Sequence, residues 1–179
     1  MTDLVTLVAL PTLRSGDISE TETDLFCEIR SVGFRETYAA AAVGIKPEVM
    51  VRLADYFDYQ GQPFARLDGV LYKVYRTYRD GIALDLTLAS PVGLKDTLEK
   101  CYLGKSKTPA WCAVGYVQLA EVDEAGLSGL IHELHLIINA AVYHGEDTVE
   151  YAGKAYAIRR TFQEDRDIVD LYIEERAGI

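Results

Sequence analysis

The chain is short of basic charge, cysteine and long apolar runs, and each shortage excludes a class of protein. Its 18 lysines and arginines face 28 aspartates and glutamates, for a formal charge of −10. That balance argues against affinity for nucleic-acid phosphates driven by counterion release. It still permits passive proximity to DNA, as in a channel that must not stick to it. Three cysteines, Cys27, Cys101 and Cys112, cannot all pair within one chain, and no Cys-x-x-Cys occurs. The expected setting is therefore reduced and intracellular. No apolar run approaches the ~20 residues of a membrane helix. The N-terminus has no basic stretch leading into an apolar one, so no signal peptide is expected and the chain reads as a soluble product of the cytoplasm.

What is present is a repeat. YQGQPFARLDGVLYKVYRTY, from Tyr59 to Tyr78, aligns without a gap on YHGEDTVEYAGKAYAIRRTF, from Tyr143 to Phe162. Identities fall at Tyr59/Tyr143, Gly61/Gly145, Gly69/Gly153, Tyr72/Tyr156, Arg76/Arg160 and Thr77/Thr161. Ordinary residue frequencies predict roughly one identity over such a span. Within 179 residues, the repeat implies two small modules, 1–92 and 93–179, each near the lower limit for an independent core. Hydrophobic residues at 49% with 12 tyrosines suffice for packing and suit surfaces that bind other proteins.

The pattern along the chain predicts a mainly β fold: two tandem antiparallel β-barrel or sandwich modules of about five strands. In the first, Leu4–Leu10 is a short apolar opener and Asp24–Val32 alternates as a strand. FRETYAAAAVG, near residues 34–44, reads as a helical insertion stopped by Gly44. Strand character resumes at Glu48–Asp55, and Phe64–Leu67 and Val70–Arg76 flank Asp68-Gly69, a strong hairpin signal. Ile82–Leu88 closes the unit. The second module repeats the order with a weak opener at Leu98–Leu103, then Ala110–Ala120, Leu130–Ala141, a hairpin at Ala152-Gly153 and a closing strand IVDLYIEE. Cys112 falls opposite Cys27 with one residue inserted. Where the first module has its helix, the second has only VDEAGLSG, a length for a turn.

No motif supports catalysis, a cofactor or a metal. Leu103-Gly104-Lys105-Ser106 ends like a phosphate-binding loop, but Glu99 stands where that loop needs a glycine. His132-Glu133-Leu134-His135 brings its second histidine one residue early for a zinc helix, and an extended segment puts the two on opposite faces. Cys27 and Cys112 sit within apolar strand patterns and read as buried thiols rather than nucleophiles. Arg76 and Arg160 are open to two readings. Each arginine holds a partner's carboxylate, or each braces its own module; presence in both copies favours the brace. The insertion carries Arg35, Glu36, Tyr38, Lys46 and Pro47 around an alanine patch. It either covers one end of its own barrel or docks on a neighbouring subunit, and the two are compatible.

One likeness gathers these residues. Arg30-Ser31-Val32-Gly33, the Ala-rich turn from Tyr38 to Pro47, Gly69 with Tyr72, and Val74-Tyr75-Arg76-Thr77-Tyr78 follow one another in the first module. This order resembles the small head-closure, or head–tail adaptor, proteins of long-tailed bacteriophages. The hairpin part recurs at Tyr151, Gly153, Tyr156, Arg160 and Thr161. The resemblance covers most of residues 1–90 and roughly 143–179. It implies a small β-barrel without enzyme activity that assembles as a homo-oligomeric ring in the virion neck. Such a ring contacts portal, adaptor and tail proteins and lets genomic DNA pass through its lumen. It further implies that the segment between the second and third strands, here Gly33–Pro47, projects from the barrel. The departure from the family is the second copy, since a usual adaptor is a single module. The rival expectations are a tail terminator or tail-completion ring, a cytosolic ligand-binding β-barrel, and a phage regulator that binds a host protein.

Overall fold

The computed structural model describes residues 3–11, 21–32, 47–89, 94–122, 128–163 and 166–175. The chain forms two compact units, each a closed antiparallel barrel. The first contains β1 (Asp3–Ala9), β2 (Thr21–Arg30), β3 (Pro47–Leu53), β4 (Phe64–Leu67), β5 (Val70–Asp80) and β6 (Ala83–Ala89). The second contains β7 (Glu99–Leu103), β8 (Thr108–Val122), β9 (Ser128–Asn139), β10 (Thr148–Tyr151), β11 (Lys154–Phe162) and β12 (Ile168–Glu175). Around the first barrel the order is β1-β2-β3-β6-β5-β4, and β4 returns to β1; the second follows the same path with β7-β8-β9-β12-β11-β10. Each barrel thus has six strands rather than about five. The opening strand, expected at Leu4–Leu10 and Leu98–Leu103, closes the ring through Leu7↔Ala65 in one barrel and Leu103↔Val149 in the other.

Alternation dictates the interiors. In β6, Leu84, Leu86 and Leu88 point inward, and Leu86 pairs with Val51 of β3. In β12, Leu171 and Ile173 do the same, with Leu171 opposite Leu136 of β9. Leu86, Leu171, Val51 and Leu136 are fully buried, and each such leucine contributes about 2 kcal/mol relative to exposure. Tyr72 and Tyr156, half-buried, pack against the two cores from equivalent places. Cys27 pairs with Asp3 and Leu53, while Cys112 pairs with Glu99 and Ile138. The two thiols therefore hold one position in the repeated frame.

Two irregularities also repeat. In β5 the register shifts between Val74 and Arg76, and in β11 between Ile158 and Arg160. A bulge of this kind reverses which side the following residues face. Val74 lies opposite the core residue Leu88, whereas Arg76 lies opposite Thr87, which is buried but alternates off the core-facing set of Leu86 and Leu88. Without the extra residue, Arg76 and Arg160 would enter their cores. The second irregularity is the loop before β4 and before β10. Asp55 and Asn139 accept from the N–H of Phe57 and Ala141, each starting a single 3-10 turn. The Tyr59 hydroxyl then donates to the Gln62 carbonyl and the Tyr143 hydroxyl to that of Glu146, both at 3.1 Å. Gly61 and Gly145 supply the positive φ (86° and 90°) that lets the chain fold back under those rings.

The insertion expected as a helix near 34–44 lies outside the described residues. Pro47 begins β3 opposite Ala89. In the second barrel the strands expected at Ala110–Ala120 and Leu130–Ala141 are present as β8 and β9, and the residues between them, 123–127, lie outside the described residues. β8 and β9 stay paired from Cys112↔Ile138 out to Val122↔Ser128, but β12 accompanies β9 only as far as Leu134. From Val117↔Glu133 onward the two strands form a ribbon of their own, ~20 Å long at the usual rise per residue.

The hairpin turns provide a stability test. Asp68 and Gly69 have φ of 50° and 83°, and Ala152 and Gly153 have 49° and 77°, the signs of a type I′ turn. Alanine is penalised at such a φ, while asparagine tolerates it. Ala152→Asn is therefore expected to stabilise the protein by about 0.5–1 kcal/mol, read as a higher urea midpoint. An unchanged or lower midpoint would refute the turn assignment.

Candidate functional site

The polar groups of the second barrel are largely matched within it. Lys95 Nζ donates to Glu99 Oε1 and to the Tyr151 hydroxyl, both at 2.8 Å, and that hydroxyl donates to Glu99 Oε2 at 2.5 Å. This triad sits where the first barrel has Asp3 and Leu67 in register. Hydrogen bonds from Lys95 and Tyr151 hold the Glu99 carboxyl below its ordinary range. Burial and the bond to Glu99 push Tyr151 up to about 12. Lys95 is raised by its bonds to Glu99 and Tyr151. All three move away from neutrality, opposite to what a general acid or base requires. The cluster therefore reads as a polar closure of the barrel rather than catalytic machinery.

The thiols point the same way. Burial, reinforced by Asp3 and Asp68, pushes Cys27 up to about 11. Cys112 is raised by its contact with Cys101 and by burial. A nucleophilic cysteine needs the reverse shift. His135 is buried and its Nε2 lies 3.0 Å from Asp170 Oδ1, with its ring stacked 4.7 Å from that of Tyr172. His132 stands three residues earlier on the same strand. Among the described residues no cluster of histidine, cysteine, aspartate or glutamate fits a metal ion.

Of the residues singled out by sequence, Arg35, Glu36, Tyr38 and Lys46 lie outside the described residues. Gly69 and Gly153 form the hairpin tips, and Thr77 and Thr161 lie exposed opposite Leu86 and Leu171. The two arginines do not share one environment. Arg160 lies 4.0 Å above the Tyr172 ring of the neighbouring strand. Arg76 occupies the equivalent place, but Thr87 replaces the tyrosine, and among the described residues Arg76 makes no hydrogen bond or ion pair. The other β11 cations are also matched: Lys154 to Glu175 at 2.8 Å and Arg159 to Glu174 at 2.5 Å. Arg76 on β5 is thus an open counterpart of the engaged Arg160 on β11.

The opposite side of the first barrel has open groups as well. On β2, Phe26 is 72% exposed and pairs with Leu4, itself 52% exposed. Asp24 and Glu28 flank it. Asp24 accepts only from the Thr6 hydroxyl at 2.6 Å, and Glu28 pairs with Arg30 at 3.0 Å. The equivalent pair in the second barrel is Lys100 and Trp111, with the ammonium 5.2 Å from the indole ring centre. Sequence reasoning passed over Phe26 and Asp24; the signal available was an aromatic in the polar phase of an alternating strand. No protein-family model, curated protein or solved structure matches the chain.

The triad has a pH signature. Tyr151 is raised in the folded state, so its stabilising share is complete below its ordinary value of 10.0 and disappears as pH rises towards 12. The depressed Glu99 contributes above its unfolded value, and that share is lost as pH falls through the folded one. Tyr151→Phe should flatten the fall in thermal midpoint between pH 10 and pH 12 relative to wild type. It should also remove one late-titrating tyrosine from a spectrophotometric titration. Identical alkaline profiles would contradict the assignment.

Proposed function

We propose that the chain is a structural virion protein of a long-tailed bacteriophage. It forms a ring in the neck that closes the DNA-filled head and joins portal or adaptor to tail. The observation that carries this reading is the ribbon Val117–Val122 with Ser128–Glu133, which leaves a closed barrel at the connection between its second and third strands. The resemblance to head-closure proteins implies a projecting element at that connection. A two-stranded ribbon without a third strand is marginal in water, so a ribbon of this length calls for a surface supplied by another molecule.

Three further features support an assembly protein over an enzyme or a ligand-binding barrel. The interiors are filled with aliphatic side chains, the shifted ionisable groups move away from catalytic values, and the net charge is −10. Carboxylates around a lumen repel phosphates and let a duplex slide. The chain carries no helix long and apolar enough to cross a membrane among its described residues.

The reading is tested by native mass spectrometry and negative-stain imaging of the purified chain, alone and with a portal–adaptor complex. The expected outcome is a ring that seats on the portal side of the complex. Replacing residues 117–133 by an Asn-Gly turn should leave both barrels folded and reduce ring formation or docking by about tenfold or more. A chain that stays monomeric at every concentration and ignores the portal–adaptor complex would refute the proposal. Seating at the tail-tube end would assign it to tail completion instead.

A further inference from the structure

Closure of the first barrel fixes which strands lie back to back. In the cyclic order β1-β2-β3-β6-β5-β4, three steps separate β2 from β5 in either direction. The two strands therefore occupy opposite sides of the barrel wall. Their outward residues differ in kind. β2 presents Phe26 between Asp24 and Glu28, with Leu4 beside it. β5 presents Arg76 and Tyr78 from an exposed end, and Tyr78 is 57% exposed. Among the described residues neither Asp24, whose partner is the Thr6 hydroxyl, nor Arg76 has a counter-charge. They are opposite in sign and on opposite sides, and each has an exposed aromatic two residues further along its own strand.

We propose that the first barrel carries both halves of a head-to-tail contact between copies of this chain, the β5 face at Arg76 and Tyr78 of one copy receiving the β2 face at Asp24 and Phe26 of the next. The occupant is a second copy because charge and apolar character complement each other across one barrel. Two different surfaces on opposite sides generate a ring or a filament rather than a closed dimer. The second barrel serves as an internal control. Where the first has Arg76 open, the second lays Arg160 on Tyr172. Where the first has Leu4 and Phe26 exposed, the second sets Lys100 over Trp111. At the positions of Asp24 and Glu28 it has Pro109 and the buried Ala113. The same frame in the same solvent has thus engaged the arginine and the β8 aromatic in one copy and left their counterparts open in the other, although Phe162, at the place of Tyr78, is itself 55% exposed. The inference deepens the ring reading and rests on it.

The test is a charge exchange read by sedimentation velocity over a concentration series at low and high salt. Arg76→Glu and Asp24→Arg should each weaken self-association about tenfold or more, because each places like charges face to face. The double variant should regain most of the wild-type association. An equimolar mixture of the two single variants should assemble although neither does alone. Wild-type association should also weaken with salt. Tyr78→Ser and Phe26→Ser provide a second pair that leaves charge untouched, with circular dichroism to confirm the fold. A wild type that assembles while all these variants behave identically to it would overturn this contact and leave the ring reading standing. A wild type that never assembles would remove both. Loss of duplex-DNA binding in Arg76→Glu, with self-association unchanged, would assign the β5 face to phosphate and overturn the proposal.

Discussion

Closure of each barrel by a short pairing governs the rest of the structure. β1 meets β4 through Thr6↔Arg66, Leu7↔Ala65 and Val8↔Phe64, and β7 meets β10 through Leu103↔Val149 and its two neighbours. An open six-strand sheet would leave two rows of unpaired N–H and C=O groups, available to any other strand. Closure removes them, so other molecules are met by side-chain faces or by segments that leave the barrel. It also makes the position of β4 and β10 critical. That explains the care with which the preceding loop is built: an Asx cap, a 3-10 turn, a buried-edge tyrosine and a left-handed glycine, the same in both copies. The tyrosine identity at 59 and 143 and the glycine identity at 61 and 145 are the trace of that requirement.

Legibility in the sequence followed the range of the interactions. The hairpins at Gly69 and Gly153 were readable because a turn's chemistry lies within its own two residues. The alternation of Leu84, Leu86 and Leu88 was readable because a strand with one buried face repeats every second residue. Closure was harder to read. β1 and β7 are offset from each other by a different interval than the hairpins are, and the inward positions Val5 and Leu7 are matched by Cys101 and Leu103, which share little beyond being apolar. That β8 and β9 leave the barrel together was not legible for a related reason. VDEAGLSG has turn composition, and nothing in AWCAVGYVQLA marks where β8 leaves its barrel, because pairing with β9 continues unchanged past the point where β12 ends.

The candidate site shows the same limit from another side. Arg76 and Arg160 share their type, the threonine that follows and their strand position, so a sequence comparison treats them as one feature. Their environments are set by residues on a different strand, Tyr172 in one barrel against Thr87 in the other. The carboxylates that neutralise β11 come from the end of β12, a region whose counterpart in β6 is apolar. A residue's availability is therefore a property of the pair of strands and only becomes visible once register is known. The bulge before both arginines adds to this, since it decides whether they face core or solvent and leaves no sequence mark of its own.

The asymmetry between copies bears on how a tandem chain can build a ring. If both barrels kept both adhesive faces, two kinds of contact would compete, first barrel to first and first to second, and the register of the assembly would be ambiguous. Matching the cations of β11 to Glu174, Glu175 and Tyr172, and covering Trp111 with Lys100, removes the second barrel from that competition. A ring then has one contact per chain, made by first barrels alone, although it contains twice as many barrels as contacts. Duplication in this arrangement does not double the number of subunit interfaces. In the proposed ring it adds to each subunit a second barrel whose β11 arginine and β8 tryptophan are already engaged and from which a ribbon of β8 and β9 departs.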